Sequence, residues 1–134
     1  MKTYIFFLYF IFLSCLCYGQ KDEPWSLKDD FQVTNIDSLK TCYLVKAINK
    51  NNLEILIYVP KPKRKIIRGL KKDINVSLIE KNVTYFFNLE SMTQSIGYLP
   101  TEKIIMDGTE IWDRSSSNFF VYKAENLEGL FYIK

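Results

Sequence analysis

Histidine is absent from all 134 residues, and that gap removes more chemistry than any motif adds. It excludes the Ser-His-Asp and Cys-His nucleophilic arrangements, the usual general base at neutral pH, and the commonest metal ligand. Cysteine is nearly as scarce. Two of the three, Cys15 and Cys17, fall in the first nineteen residues, so from Gln20 onward only Cys42 remains. That leaves no internal disulfide and no structural zinc site of thiolates and imidazoles. A lone thiol between Thr41 and Tyr43-Leu44-Val45 reads as a small core residue with nothing to activate it. Alanine, the strongest helix former, occurs only at Ala47 and Ala124. The five glycines are scattered and form no phosphate-cradling loop, and no stretch repeats at a fixed period.

What is present begins at the N-terminus. Lys2 is the only charge before Gln20, residues 4–16 are apolar apart from Ser14, and Cys17 and Gly19 are small residues at the exit. A basic start, a short apolar middle and a small-residue end make residues 1–19 a signal peptide cut after Gly19, so the protein is expected to be secreted or periplasmic. The alternative is a membrane-anchored lipoprotein. Phe12-Leu13-Ser14-Cys15 resembles a loose bacterial lipoprotein signal, in which Cys15 would carry the lipid and tether the chain. An uncleaved span is disfavoured, because crossing a bilayer takes about 20 apolar residues.

The 115 residues from Gln20 hold 17 basic and 15 acidic side chains, a net charge of +2 that selects no partner. Their size fits one domain with a core of its own. They contain 25 β-branched and 14 aromatic residues, a mixture suited to pleated, half-buried surfaces. Residues 20–30, polar and interrupted by Pro24, are expected to form an N-terminal tether, with Trp25 lidding one end of a single β domain over 31–134. Strands are expected at 31–36, 41–48, 53–59, 74–79, 83–89, 104–106, 109–112, 119–124 and 130–133. Residues 53–59 alternate apolar residues on both faces and read as a central strand covered on both sides. Asn49-Lys50-Asn51-Asn52 fits a hairpin loop. Asp107-Gly108 is the strongest turn signal, pairing Met106 with Thr109 and Ile104 with Ile111. Residues 74–79 and 83–89 are expected to pair through Glu80-Lys81-Asn82. Pro100 makes 91–101 a long loop or a single helical turn. Eight or nine short strands with polar connections define an all-β fold, a small antiparallel barrel, OB-like in the narrower expectation, or a β-sandwich.

One charge feature stands out. Residues 61–72 hold Lys61, Lys63, Arg64, Lys65, Arg68, Lys71 and Lys72 with no acid among them. Cations beside edge strands commonly serve solubility alone. As a binding patch they would take an anionic glycan, a lipid headgroup or an envelope protein. Nucleic acid is disfavoured because no aromatic is interleaved with them. For catalysis the nearest cluster is Asp107, Glu110 and Asp113, a carboxylate pair for a small secreted hydrolase, though turn and surface roles fit these acids better. Ser115 to Ser117 with a lysine base is weaker still, and the segment lacks the ligand repeat of a calcium loop. Asn75-Val76-Ser77 and Asn82-Val83-Thr84 match the N-glycosylation pattern, a triplet common by chance. The expectation is an exported, non-enzymatic β domain with a binding or structural role at the cell envelope or outside it, without a cofactor or metal.

Overall fold

The computed structural model describes residues 24–93 and 102–134. The expected signal peptide with Cys15, the first residues of the expected tether, and residues 94–101 of the expected long loop lie outside the described residues. The described residues form ten strands and one short helix: β1 (Ser26–Ser38), β2 (Cys42–Asn49), β3 (Glu54–Pro60), α1 (Arg64–Leu70), β4 (Val76–Leu78), β5 (Thr84–Ser91), β6 (Lys103–Met106), β7 (Thr109–Asp113), β8 (Phe120–Ala124), β9 (Leu127–Glu128) and β10 (Phe131–Ile133). Five of them close a barrel in the order β1-β2-β3-β8-β5, with β5 returning to β1.

The fold is therefore an all-β small barrel, not a sandwich. It is mixed rather than wholly antiparallel, because β3 and β8 run parallel, with Ile55 beside Phe120 and Ile57 beside Tyr122. A parallel pair needs a long crossover, and the chain between these strands provides one containing α1, β4, β5 and the β6–β7 hairpin.

β1 closes the barrel, and its length is the reason it can. The N-terminal half pairs with β5, Leu27 beside Leu89, and the C-terminal half with β2, Ile36 beside Val45. A bulge between Val33 and Asn35 lies where the strand passes from one neighbour to the other, and bulges increase the local twist such a passage requires. β1 starts at Ser26, so the second half of the expected tether is a barrel strand. Leu27 is the one apolar side chain of residues 26–30 and packs against the core, too thin a pattern to read as a strand. Trp25 does not lid the barrel. It is 52% exposed and is held through its backbone, its carbonyl accepting the Ser91 N–H at 2.9 Å.

Two apolar layers follow from the period of two along the strands. Inside the barrel lie Phe31, Val33, Val45, Ala47, Ile55, Ile57, Phe87 and Tyr122, fully or nearly fully buried. Outside it, Cys42, Leu44, Leu56 and Val121 form a second layer with Ile104 and Trp112 of the β6–β7 hairpin. β3 is thus covered on both faces, as its doubly apolar sequence requires. Burial raises the Cys42 thiol pKa, with the negative charge of Asp107 adding to it, which suits an inert core residue.

The remaining strands make a small sheet in the order β4-β10-β9. Tyr132 of β10 packs edge-on against Phe87, 6.1 Å between ring centroids, and Ile79 and Leu127 complete the interior cluster. The expected pairing of residues 74–79 with 83–89 does not form: β4 pairs with β10, and β5 pairs with β1 and β8. The connection at Asn82, with φ of 66°, instead returns to β1, the Asn82 N–H donating to the Val33 carbonyl at 2.7 Å. A local hairpin was the economical expectation, and the long-range demand of barrel closure overrides it.

The β2–β3 loop behaves as its asparagines suggest. Asn49 Oδ1 accepts the N–H groups of Asn51 and Leu53, its Nδ2 donates to Asp29 Oδ2 at 2.9 Å, and Asn52 takes the left-handed φ of 59°. The β6–β7 turn has φ of 51° at Asp107 and 78° at Gly108, the mirror-image geometry that hairpins favour. Met106 pairs with Thr109 as expected. A register shift between Ile104 and Ile105 then sets Ile104 opposite Trp112 rather than Ile111, so both large side chains turn onto the barrel.

Candidate functional site

The basic segment of residues 61–72 is partly helix. α1 spans seven residues, about 10 Å at 1.5 Å per residue, and begins after Lys63, whose backbone is extended and whose side chain makes no cap. No acid occupies its first turn. Lys63, Arg64 and Lys65 instead sit at the positive end of the helix dipole, and Arg64 and Arg68 are like charges four residues apart, whereas Arg68 in the last turn and Lys71 at the C-cap lie at the negative end, which favours cations. Each such pair costs a helix about 0.2–0.5 kcal/mol. The cations of the N-terminal end are therefore not placed to stabilise α1.

Nor are they neutralised. Lys63, Arg64, Lys65, Arg68, Lys71 and Lys72 are all exposed, and the ion pairs found among the described residues both belong to Lys103. Lys61 stands apart from the other six. Its Nζ donates to the Leu39 carbonyl and lies 4.9 Å from the centre of the Tyr43 ring, so it fastens the end of β3 to the β1–β2 loop. A helix of this length was not expected: Gly69, anticipated at a chain reversal, lies within α1, and the reversal comes after it, where Lys72 and Asp73 donate their N–H groups to Gly69 and Leu70.

The apolar side of α1 is unusual. Ile66, Ile67 and Leu70 share one face at helical spacing, yet none is buried and none belongs to either hydrophobic layer. Pro62 sets the entry to the helix. It lies so close to Gly129, which has φ of 57°, that a Cβ there would sit 2.7 Å from Pro62 Cδ.

The acids of the β6–β7 hairpin have partners other than one another. Asp107 accepts the Thr41 N–H at 2.7 Å and Thr41 Oγ1–H at 2.8 Å, and these bonds lower its pKa. Lys103 Nζ lies 3.1 Å from Glu110 Oε2 and 3.0 Å from Asp113 Oδ2. Asp113 also accepts the N–H and Oγ–H of Ser115. That hydroxyl bond first, and the Lys103 bond next, hold its carboxyl at about 2. Those same acids push the Lys103 ammonium up. The arrangement keeps Asp113 ionised and acceptor-only, the opposite of a raised-pKa general acid. Of the serines, Ser115 is committed to Asp113, and Ser117 Oγ accepts the Asp113 N–H at 3.0 Å. No group of three or more metal-ligating side chains occurs among the described residues.

A shallow groove on the outer face of β2 and β3, beside Thr34 and Phe119, carries one cation, Lys46, and one acid, Glu54. It has no net charge to offer. The hairpin that bounds the second apolar layer is pinned by Trp112 Nε1–H to the Phe119 carbonyl at 2.7 Å and by Arg114, whose guanidinium donates to the Thr93 carbonyl at 2.8 Å. Sequence reasoning named the turn but missed this docking. The signal for it was the second apolar parity in β2 and β3, with Cys42, Leu44, Leu56 and Tyr58 needing a cover. Comparison with protein-family models, with curated proteins and with solved structures finds no match.

Proposed function

We propose that this chain is an exported, non-enzymatic binding domain that holds an anionic ligand through α1 and the turn after it. The observation that carries the reading is the six exposed, unneutralised cations from Lys63 to Lys72, three of which crowd the N-terminal end of α1, where the helix dipole disfavours them. The missing histidine supports a non-enzymatic role, as does the engagement of Asp107, Glu110 and Asp113 with Thr41, Lys103 and Ser115. By analogy of fold alone, barrels of the OB type bind ligands across strands 2 and 3. Here the β6–β7 hairpin covers much of that face, which favours the helix side.

Heparin, a soluble polyanion, is the probe. Retention should fall steeply by about 0.5 M salt, where screening has shortened from about 10 Å at 0.1 M. It should fall again when Lys63, Arg64 and Lys65 become glutamine. Retention indifferent to both overturns the role. Export rests on residues 1–19, and the intact mass of the protein from fractionated cells decides its form. A chain starting at Gln20 in the soluble fraction supports secretion, and an acylated Cys15 in the membrane fraction supports the lipoprotein alternative.

A further inference from the structure

The structure assigns the α1 side of the barrel to an anionic membrane surface, with Ile74 as the residue that enters it. This deepens the anionic-ligand reading and rests on it. Directly after Lys71 and Lys72 the chain turns through Asp73, whose carboxylate accepts the Asn75 N–H at 2.9 Å, and presents Ile74 at its tip. Ile74 is 92% exposed, the most exposed large hydrophobic side chain among the described residues. On α1, Ile66 is 43% exposed, with Ile67 and Leu70 half-buried beside it.

The small sheet continues the pattern. Tyr132 packs inward on Phe87, so by alternation Phe131 and Ile133 face outward with their partners Leu78 and Val76. Leu78 is 54% exposed. The Lys134 N–H donates to the Asn75 carbonyl, which holds the end of β10 against the Ile74 turn.

A soluble polyanion would satisfy the cations and leave Ile74, Leu78 and Ile66 exposed to water. An anionic bilayer answers both, since cationic helices with an unseated apolar face lie at the boundary of headgroups and acyl chains. Each cation brought near such a surface raises affinity about fivefold, and burying one isoleucine adds about tenfold or more. Charge complementarity selects this occupant over an uncharged protein groove.

The test uses the full exported chain, vesicles of phosphatidylcholine with and without phosphatidylglycerol, and a heparin column in parallel. Vesicle binding should require phosphatidylglycerol and fall about tenfold with Ile74→Ser, while heparin retention stays unchanged. Replacing Lys71 and Lys72 by glutamine should weaken both. Insertion is read in a Trp25→Phe background, which leaves the buried Trp112 as a constant signal, by placing tryptophan at position 74 and measuring quenching by bromine-labelled acyl chains. Ile74→Trp should be quenched, whereas Ile105→Trp, on the β6–β7 hairpin, should not, and this contrast holds whatever anchors the N-terminus. Heparin retention without vesicle binding, or vesicle binding unchanged by Ile74→Ser, sinks the membrane assignment and leaves the anionic-ligand reading standing. Loss of heparin and vesicle binding together sinks both.

Discussion

Asp107 and Thr41 are 66 positions apart and make two hydrogen bonds, from the Thr41 N–H and from its hydroxyl, to the two oxygens of one carboxylate. The turn that tips the β6–β7 hairpin is thereby tied to the loop between β1 and β2. The Asp107 carboxylate is a clasp between them. Asp107→Asn keeps only one acceptor oxygen for two donors. The expected result is hydrogen exchange at Ile104 and Trp112 faster by about tenfold, with the barrel strands unchanged, since local opening is cheaper than global unfolding. Unchanged protection in the hairpin would show that the clasp holds nothing.

The hairpin also supplies the cover for the second apolar layer, and Trp112, nearly fully buried, is its largest side chain. Trp112→Ala should cost about 3–5 kcal/mol in denaturant unfolding, the range for deleting a buried aromatic. It should also expose Cys42, so the thiol should react with a disulfide reagent faster than in the native protein. A cost near zero with an unreactive thiol would mean that the barrel is stable with its outer face bare.

Acid sensitivity follows from Asp113. Its carboxyl titrates at about 2 in the fold against an ordinary 3.8, so the folded state binds this proton less readily than the unfolded chain. The stabilisation is fully present above about pH 4 and is lost as pH falls through about 2. Carboxyl carbon NMR titration should place Asp113 near that value. Ser115→Ala and Lys103→Gln should each raise it, the first by removing the hydroxyl bond that is the largest single cause, the second by removing a hydrogen bond from an ammonium and its positive charge. A value unmoved by Ser115→Ala would show that the hydroxyl bond does not hold the carboxyl down.

Much of this arrangement was legible in residue order. The lone Cys42, the doubly apolar β3, the asparagine loop and the Asp107-Gly108 turn each carry a local signal, and each occurs where its chemistry predicts. What escaped notice is long-range. Nothing local tells residues 26–30 that β5 lies beside them, nor β4 that its partner is β10, with Leu78 paired to Phe131 far along the chain. α1 was hidden by its own chemistry, since cations in the first turn and the absence of a capping side chain are the reverse of a helix start. The cationic segment itself was plain from sequence. Its lack of counter-charges, the withdrawal of Lys61 and the exposure of Ile74 needed the fold.

Gly108 and Gly129 provide a matched pair for testing how α1 is held. Both have positive φ, 78° and 57°, so alanine at either incurs the left-handed penalty of about 1–2 kcal/mol. Their surroundings differ. A Cβ at Gly108 meets nothing within 4 Å, whereas at Gly129 it would lie 2.7 Å from Pro62 Cδ and 2.8 Å from Cγ, a rigid ring that cannot swing aside. Gly108→Ala should therefore show the conformational cost alone and leave heparin retention as it was. Gly129→Ala should lose about 1–3 kcal/mol more, the usual cost of overpacking, and weaken heparin retention, because relief of the clash displaces Pro62 and with it the start of α1. Equal unfolding costs for the two variants would mean that the Pro62 contact yields freely. An extra cost at Gly129 without any change in retention would mean that the cations bind independently of how the helix is seated.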